Sequence, residues 1–353
     1  MKKLNNVIII GCSISSLYAA IKFLDLGYKV TIVEKKNSYL PIYDSIYHNF
    51  KVFNDNHKTY INLLKRFDIK SEKIDINAKN EVNSLTTLMT LINNVIQKTK
   101  PIPNNILITH TFASLCRSLM TESDYNQLNA YENIFSGIFN IMNAMDCIQL
   151  FTNDITYIVS HYHITMQSIN ELIGKMISYI HNKNGKIIYN SDVKTIKYIK
   201  HKFILSTNTH ISFTSDILFT TISKDNLVTF NFWNNEQKLL LNSVTVINAS
   251  IINNIIEYFI TNNDQQSKAS DDIRKLLLDD LHIVYPLFTN KSKQIYVWNN
   301  GVNNVLIRER IKNMYNDKFF ICSESFSKNN MFINYSLESI ENAMMNVTKS
   351  YKC

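Results

Sequence analysis

The sequence predicts an α/β fold built around a parallel sheet, and three observations carry that expectation. Residues 5–34 (NNVIIIGCSISSLYAAIKFLDLGYKVTIVE) set a short apolar run, helically spaced apolar residues and a β-branched alternating run in succession, which is a β-α-β unit. Residues 216–222 form a nearly continuous apolar stretch, as required of a strand covered on both faces of a central sheet. Residues 319–322 (FFIC) offer one more short buried strand ahead of a helix over about 333–351.

In the opening unit, Val7 to Ile10 runs into Gly11, and Leu17, Ala20, Ile21 and Leu24 fall on one helical face before Gly27. Glu34 ends the second strand, 23 positions after Gly11. This is the Rossmann-like arrangement that sets a dinucleotide pyrophosphate on a helix N-terminus and a ribose on a carboxylate. The glycine pattern is altered: where G-x-G-x-x-G is wanted, the chain has Gly11, Ser13 and Ser16. Gly11 still supports the tight turn. Ser13 puts a Cβ and a hydroxyl where the backbone should approach phosphate, and Ser16 puts a side chain into the helix–strand contact. Cys12 sits at a helix N-terminus, where a thiol pKa can fall, and reads as a small packing residue.

With 353 residues the chain exceeds one ordinary compact core, so one large or two interleaved domains are expected. The net charge of +8 is scattered rather than gathered into a basic stripe, which predicts a solvated surface and no nucleic-acid partner. Only 6 glycines and 4 prolines occur among abundant Asn, Ile and Lys, against an average glycine usage of about 7%. This bias suggests an AT-rich genome, as of a virus or parasite, and for a viral protein a place in the particle. Five widely spaced cysteines without C-x-x-C fit a reducing, cytoplasmic compartment and no zinc site or disulfide framework. The opening apolar run is too short for a secretory signal. The apolar stretch 244–260 is interrupted by Asn248, Asn253, Asn254 and Glu257, so no membrane span is expected.

Along the chain, residues 43–53 are aromatic-rich and suit a strand or cleft lining, and 57–67 have helical spacing. Residues 84–151 read as a helical insertion broken at Pro101 and Pro103, and 155–163 alternate as a strand. A helix over 166–181 and a turn at Asn184-Gly185 precede a meander over 186–214 made of KIIYN, VKTIKYI, KFILST and HISFT. After the central strand, aromatics lead into a helix (230–241), followed by strand-like 244–260, helical 271–281 and strand-like 283–297. His161 and His163 alternate on one strand face and are read as partly buried structural residues with no metal.

This order, with TMQSINELIGKMISYIHNKNGKIIYNSDVKTIKYI, SDILFTTIS before NFWNNEQKLLL, the region of Trp298, and FFICSESFSKNNMFINYSLESIENAMMNV, resembles the FAD-dependent amine oxidase family over almost the whole chain. The resemblance implies a Rossmann-like FAD/NAD(P)-binding domain from residues 1–55, 155–225 and 310–353. An interleaved α+β substrate-like domain, helical and antiparallel, would take 56–154 and 226–309. It implies cofactor contacts at Gly11, Ser13, Ser16, Glu34 and Glu324, should FAD or an ADP moiety bind.

Elsewhere the family's residues are replaced. Residues 37–45 lack the glycines and arginines of the family's Arg-x-Gly-Gly-Arg segment, and Ile164 and Thr165 stand at its glycine pair. Ser323 precedes Glu324 in place of glycine, and Asn334 and Tyr335 replace the Glu-Gly beside the isoalloxazine. The stretch 239–259 has no lysine to order a water over the flavin, with Ala249 or Ser250 near that place. The resemblance therefore implies a degenerate flavin site and a pseudo-oxidase with a structural or interaction role, with no catalytic residue assigned and an unknown protein partner. An active FAD-dependent amine oxidoreductase with a shifted cofactor is the alternative, and a module holding only an ADP moiety is a third reading.

Overall fold

The computed structural model describes residues 6–38, 52–74, 82–130, 138–152, 162–165, 169–222, 224–242, 244–248, 294–298, 318–322 and 333–351. In chain order these form β1 (Asn6–Ile10), α1 (Ile14–Asp25), β2 (Lys29–Val33), β3 (Val52–Asn54), α2 (Lys58–Arg66) and β4 (Ser71–Ile74). A helical region follows: α3 (Val82–Thr99), α4 (Asn104–Thr109), α5 (Phe112–Leu119), α6 (Glu122–Ala130), α7 (Ile138–Ile141) and α8 (Ala144–Leu150). Next come β5 (Tyr162–Thr165), α9 (Ile169–Asn182), β6 (Lys186–Ile188), β7 (Val193–Ile199), β8 (Lys202–Thr207), β9 (Ser212–Ser215) and β10 (Ile217–Thr220). The last described elements are α10 (Lys224–Val228), α11 (Asn235–Asn242), β11 (Val244–Asn248), β12 (Gln294–Trp298), β13 (Phe319–Ile321) and α12 (Ile333–Tyr351).

Five strands make a parallel sheet in the order β13-β10-β1-β2-β6. Because side chains alternate across a strand, β1 feeds two cores at once. Val7 and Ile9 face α1, α9 and α12, where Leu17, Ile21, Ile173, Ile180, Leu337 and Ile340 are buried. Ile8 and Ile10 face the opposite core with Val193, Phe203, Phe230 and Trp233. There Trp233 stacks on Phe319 at 5.5 Å and donates its indole N–H to the Leu227 carbonyl at 2.7 Å, which satisfies the only polar atom of a large buried ring. Gly185 is needed where α9 turns into β6: a Cβ there would lie 2.6 Å from Ile180 Cγ2 and 3.0 Å from Leu24 Cδ1.

The predicted central strand and closing strand are β10 and β13, buried throughout. Residues 186–188 are corrected: they leave the meander and pair in parallel with β2, Ile187 opposite Ile32, so the antiparallel meander is β7-β8-β9. The short apolar stretch Lys186–Ile188 cannot by itself declare which neighbour it pairs with. A strand unforeseen in the sequence, β4, joins β3 and β5 in an antiparallel sheet of order β3-β5-β4; its SEKI sequence is too polar to signal a strand.

The helical region has its own core of Leu88, Ile92, Val95, Phe112, Cys116 and Phe151, as expected for the insertion. β11 and β12 pair antiparallel, while the remainder of 244–260 and 283–297, the expected helix 271–281 and residues 43–51 and 155–161 lie outside the described residues. Among the described residues no helix is long and apolar enough to cross a membrane.

Candidate functional site

The turn after β1 is built to reverse the chain at a strand end. Gly11 has φ +94°, and a Cβ there would come within 2.9 Å of Ile222 Cγ2, so both conformation and space require glycine. Its N–H donates to the Val33 carbonyl at 2.9 Å. Ser13 then caps α1: its hydroxyl accepts from the Ser16 N–H and the Ser16 hydroxyl accepts from the Ser13 N–H, each at 3.2 Å. This reciprocal box satisfies two N-terminal donors within the helix itself. Thr221, following β10, closes the group, its hydroxyl 2.9 Å from Ser13 Oγ and hydrogen-bonded to Ser16 Oγ.

Glu34 is buried, only 8% exposed. Its Oε2 accepts the Cys12 N–H at 2.6 Å and its Oε1 accepts the Lys36 N–H at 2.9 Å. A carboxylate accepting two backbone N–H bonds is well compensated for leaving water. Cys12 packs in the core beside it, and burial, reinforced by the Glu34 charge and opposed by a hydrogen bond with Tyr189, pushes its thiol up to about 12. Cys12 is the small packing residue the sequence suggested.

Beyond the C-terminal ends of β1, β2 and β10 opens a cleft of about 550 Å³, the position at which open α/β sheets take ligands. Ile10, Val33, Val193, Ile222 and Phe230 form apolar walls, and Glu34, Lys35, Lys36, Asp192 and Lys194 form the polar side. Lys35 donates to Asn226 Oδ1 at 3.0 Å and Lys194 pairs with Asp192 at 2.6 Å. Lys36 has no side-chain hydrogen bond or ion pair among the described residues. Partial burial lowers its pKa, which Glu34 works to raise and Lys35 to lower further.

A second cluster lies at the start of α12. Asn334 is 1% exposed; its Oδ1 accepts the Tyr60 N–H at 3.1 Å and its Nδ2 donates to Glu338 at 2.7 Å. Tyr335 is buried in the core of the helical region, its ring edge-on to His57 at 5.8 Å. The Ser15 and Ser336 hydroxyls, 2.7 Å apart, join α1 to α12.

Gly11, Ser13, Ser16 and Glu34 are thus gathered in one turn beside the cleft, while Glu324, Ser323, Ala249, Ser250 and His161 lie outside the described residues. Ile164 and Thr165 end β5, opposite Glu72 and Ser71, and do not open α9, whose first residue is Ile169. His163 stacks on Phe53 at 5.3 Å and meets Asp55 through Nε2 at 2.7 Å. The sequence reading missed Asp55, an acid just after an apolar strand, because its partner lies 108 residues away. Among the described residues no group of three or more metal-ligating side chains occurs. Thr221 and Lys36 were also missed; Lys36, next but one to Glu34, carried a signal in its position alone.

A parallel sheet with a cleft at the end of β1 and β2, joined to a helical layer and smaller antiparallel sheets, is an α/β fold of the kind found in amine oxidases. The solved structures bear this out. Wild-type putrescine oxidase bound to putrescine matches at TM-score 0.63 and 10% identity, over 98% of this chain and 99% of that one. A variant from a redesign of cofactor binding in putrescine oxidase matches at TM-score 0.64 and 10% identity, over 99% and 100%. The likeness is one of fold. No protein-family model matches the chain, and no curated protein matches it by sequence.

Proposed function

We propose that this chain is an amine-oxidase-like protein with a degenerate flavin site, a pseudo-oxidase that keeps the two-part fold for a structural or interaction role. The two parts would be residues 1–55, 155–225 and 310–353 on one side and 56–154 and 226–309 on the other. The observation that carries the reading is the closed turn. A dinucleotide pyrophosphate is held by outward-facing N–H groups at a helix N-terminus, whereas here the Cys12 N–H donates to Glu34 and those of Ser13 and Ser16 donate to each other's hydroxyls.

Support comes also from α12. By the resemblance, Asn334 and Tyr335 take the place of the Glu-Gly beside the isoalloxazine, and both are interior residues with partners on α2 and at His57. The residues present therefore fit FAD poorly. Flavin supplies the redox chemistry of amine oxidation itself, with the protein positioning it, so weak retention removes the activity rather than tuning it.

The test is the visible absorption spectrum of the purified protein before and after incubation with excess FAD and desalting. A protein that stays colourless while folded by circular dichroism is the expected result. A retained flavin spectrum would overturn the pseudo-oxidase reading and justify an amine screen for an active FAD-dependent amine oxidoreductase.

A further inference from the structure

Lysines that are scattered along the sequence are gathered by the hairpin of β7 and β8. Residues 193–215 hold four lysines and no acid. Ile196 and its cross-strand partner Leu205 are buried with Phe203 in the core against the parallel sheet. Side chains alternate across a strand, so Lys197 and Ile199 share the other face with Ile204 and Lys202, their partners across the ladder. Lys197 and Ile199 are exposed, Ile199 to 48%. Tyr198 also emerges near the tip, 38% exposed, with its ring 4.8 Å from Phe203.

The turn adds to this pattern. Lys200 and His201 form a two-residue loop between Ile199 and Lys202, with φ +48° and +63°. Such a loop needs positive φ at both positions and ordinarily takes Asn-Gly; two residues with full side chains hold it under strain. Lys202 pairs with Asp216 at 3.3 Å, while the exposed Lys197 and Lys200 have no ion-pair partner among the described residues.

We infer that the β7–β8 tip docks on an anionic lipid surface, Lys197 and Lys200 meeting the negative headgroups and Ile199 with Tyr198 entering the boundary between headgroups and acyl chains. Cations beside exposed apolar residues are the combination such a surface holds, each cation adding attraction to the anionic leaflet. A nucleic acid strand would favour arginine and stacked aromatic faces. Residues 193–215 contain no arginine, and the more exposed apolar residue of the tip is the aliphatic Ile199. None of residues 197–202 lines the cleft, so this goes beyond the pseudo-oxidase reading and does not rest on it.

The full chain is sedimented with sucrose-loaded vesicles of phosphatidylcholine alone and of phosphatidylcholine mixed with phosphatidylserine. The expected result is capture by the anionic vesicles only, falling as salt is raised. Lys197→Gln and Lys200→Gln should each weaken binding about fivefold, the ratio equivalent to about 1 kcal/mol per cation at such a surface. Ile199→Ser should weaken it with the salt dependence retained. A Lys200→Asn, His201→Gly double variant supplies the ordinary turn sequence, so it should melt no lower than the parent and still lose affinity, which separates docking from misfolding. Equal capture by both vesicle types, capture by neither, or full binding by a Lys197→Gln, Lys200→Gln double variant overturns the inference. So does unaltered binding by Ile199→Ser, or displacement of the vesicles by a duplex oligonucleotide, which would assign the face to nucleic acid.

Discussion

The backbone N–H of Cys12 donates to the carboxylate of Glu34 at 2.6 Å, so the acid that ends β2 braces the turn that follows β1. The second carboxylate oxygen holds the Lys36 N–H, and one buried side chain thereby fixes two loops at the mouth of the cleft. Both loops depend on it.

Glu34→Gln keeps the shape but removes the charge and replaces one acceptor oxygen with an NH₂ that faces an N–H donor. Loss of one charge-assisted bond at a buried site should cost about 1–3 kcal/mol. Urea unfolding measures it, with a lower midpoint and an unchanged slope. A midpoint equal to the parent's would mean that the brace contributes nothing to stability.

The hydroxyl trio of Ser13, Ser16 and Thr221 makes a separate forecast. Thr221→Val leaves the capping box but removes its third member from a buried position, an expected loss of about 1 kcal/mol. Ser13→Gly keeps a fair N-cap residue but also loses the hydroxyl contact with Thr221, and should cost about 1 kcal/mol as well. Neither variant should retain FAD after desalting, since Asn334 and Tyr335 remain in place. A yellow Ser13→Gly protein would identify the serine as the sole obstacle and make the α12 residues irrelevant.

The sheet was legible because its strands are apolar in unbroken runs: Val7 to Ile10, Ile217 to Phe219 and Phe319 to Ile321 have no reading other than buried strand or helix, and their shortness selects strand. The turn was legible because Gly11 and Glu34 keep a spacing set by the length of one β-α-β unit. What escaped was pairing. Lys186–Ile188 is too short and too like its meander neighbours to declare its partner, and only the crossover through α9 puts it beside β2. β4 hides because Ser71, Glu72 and Lys73 are polar. The partners that seal the site were invisible for the same reason, as Thr221 is 205 residues from Ser16 and Tyr60 is 274 from Asn334.

That last pair is open to direct measurement. The Asn334 amide accepts the Tyr60 N–H in a wholly buried setting and reaches on to Glu338. Asn334→Ala strands a backbone donor, with an expected loss of about 1–3 kcal/mol. Thermal denaturation should show a clearly lowered midpoint. Asn334→Asp retains an acceptor for Tyr60 but sets a carboxylate beside Glu338, and should fall at least as far. If Asn334→Ala melts with the parent, α12 is not anchored to α2 through this residue.

At the far end of α1, Asp25 joins three helices. Arg66, at the end of α2, reaches its two carboxylate oxygens at 2.7 and 3.1 Å and also lies 4.7 Å from the centre of the Tyr179 ring of α9. The Tyr179 hydroxyl donates to the same carboxylate at 2.5 Å. Burial works to raise the Asp25 pKa, but the Arg66 and Tyr179 hydrogen bonds, with the charges of Arg66 and Lys183, outweigh it and hold the carboxyl below its ordinary value. A carboxyl depressed in the folded state makes the unfolded chain the better proton binder as pH falls. Its contribution is therefore complete above the unfolded value of about 3.9 and is lost as pH drops through the lower folded one. Both partners are about one third exposed, so solvent screening limits the effect, and Asp25→Asn should cost about 1 kcal/mol at pH 7. The same comparison at pH 3, still in urea, should show a smaller gap between variant and parent. A gap that does not shrink would assign the loss to the packing of α1, α2 and α9 rather than to the Asp25 charge.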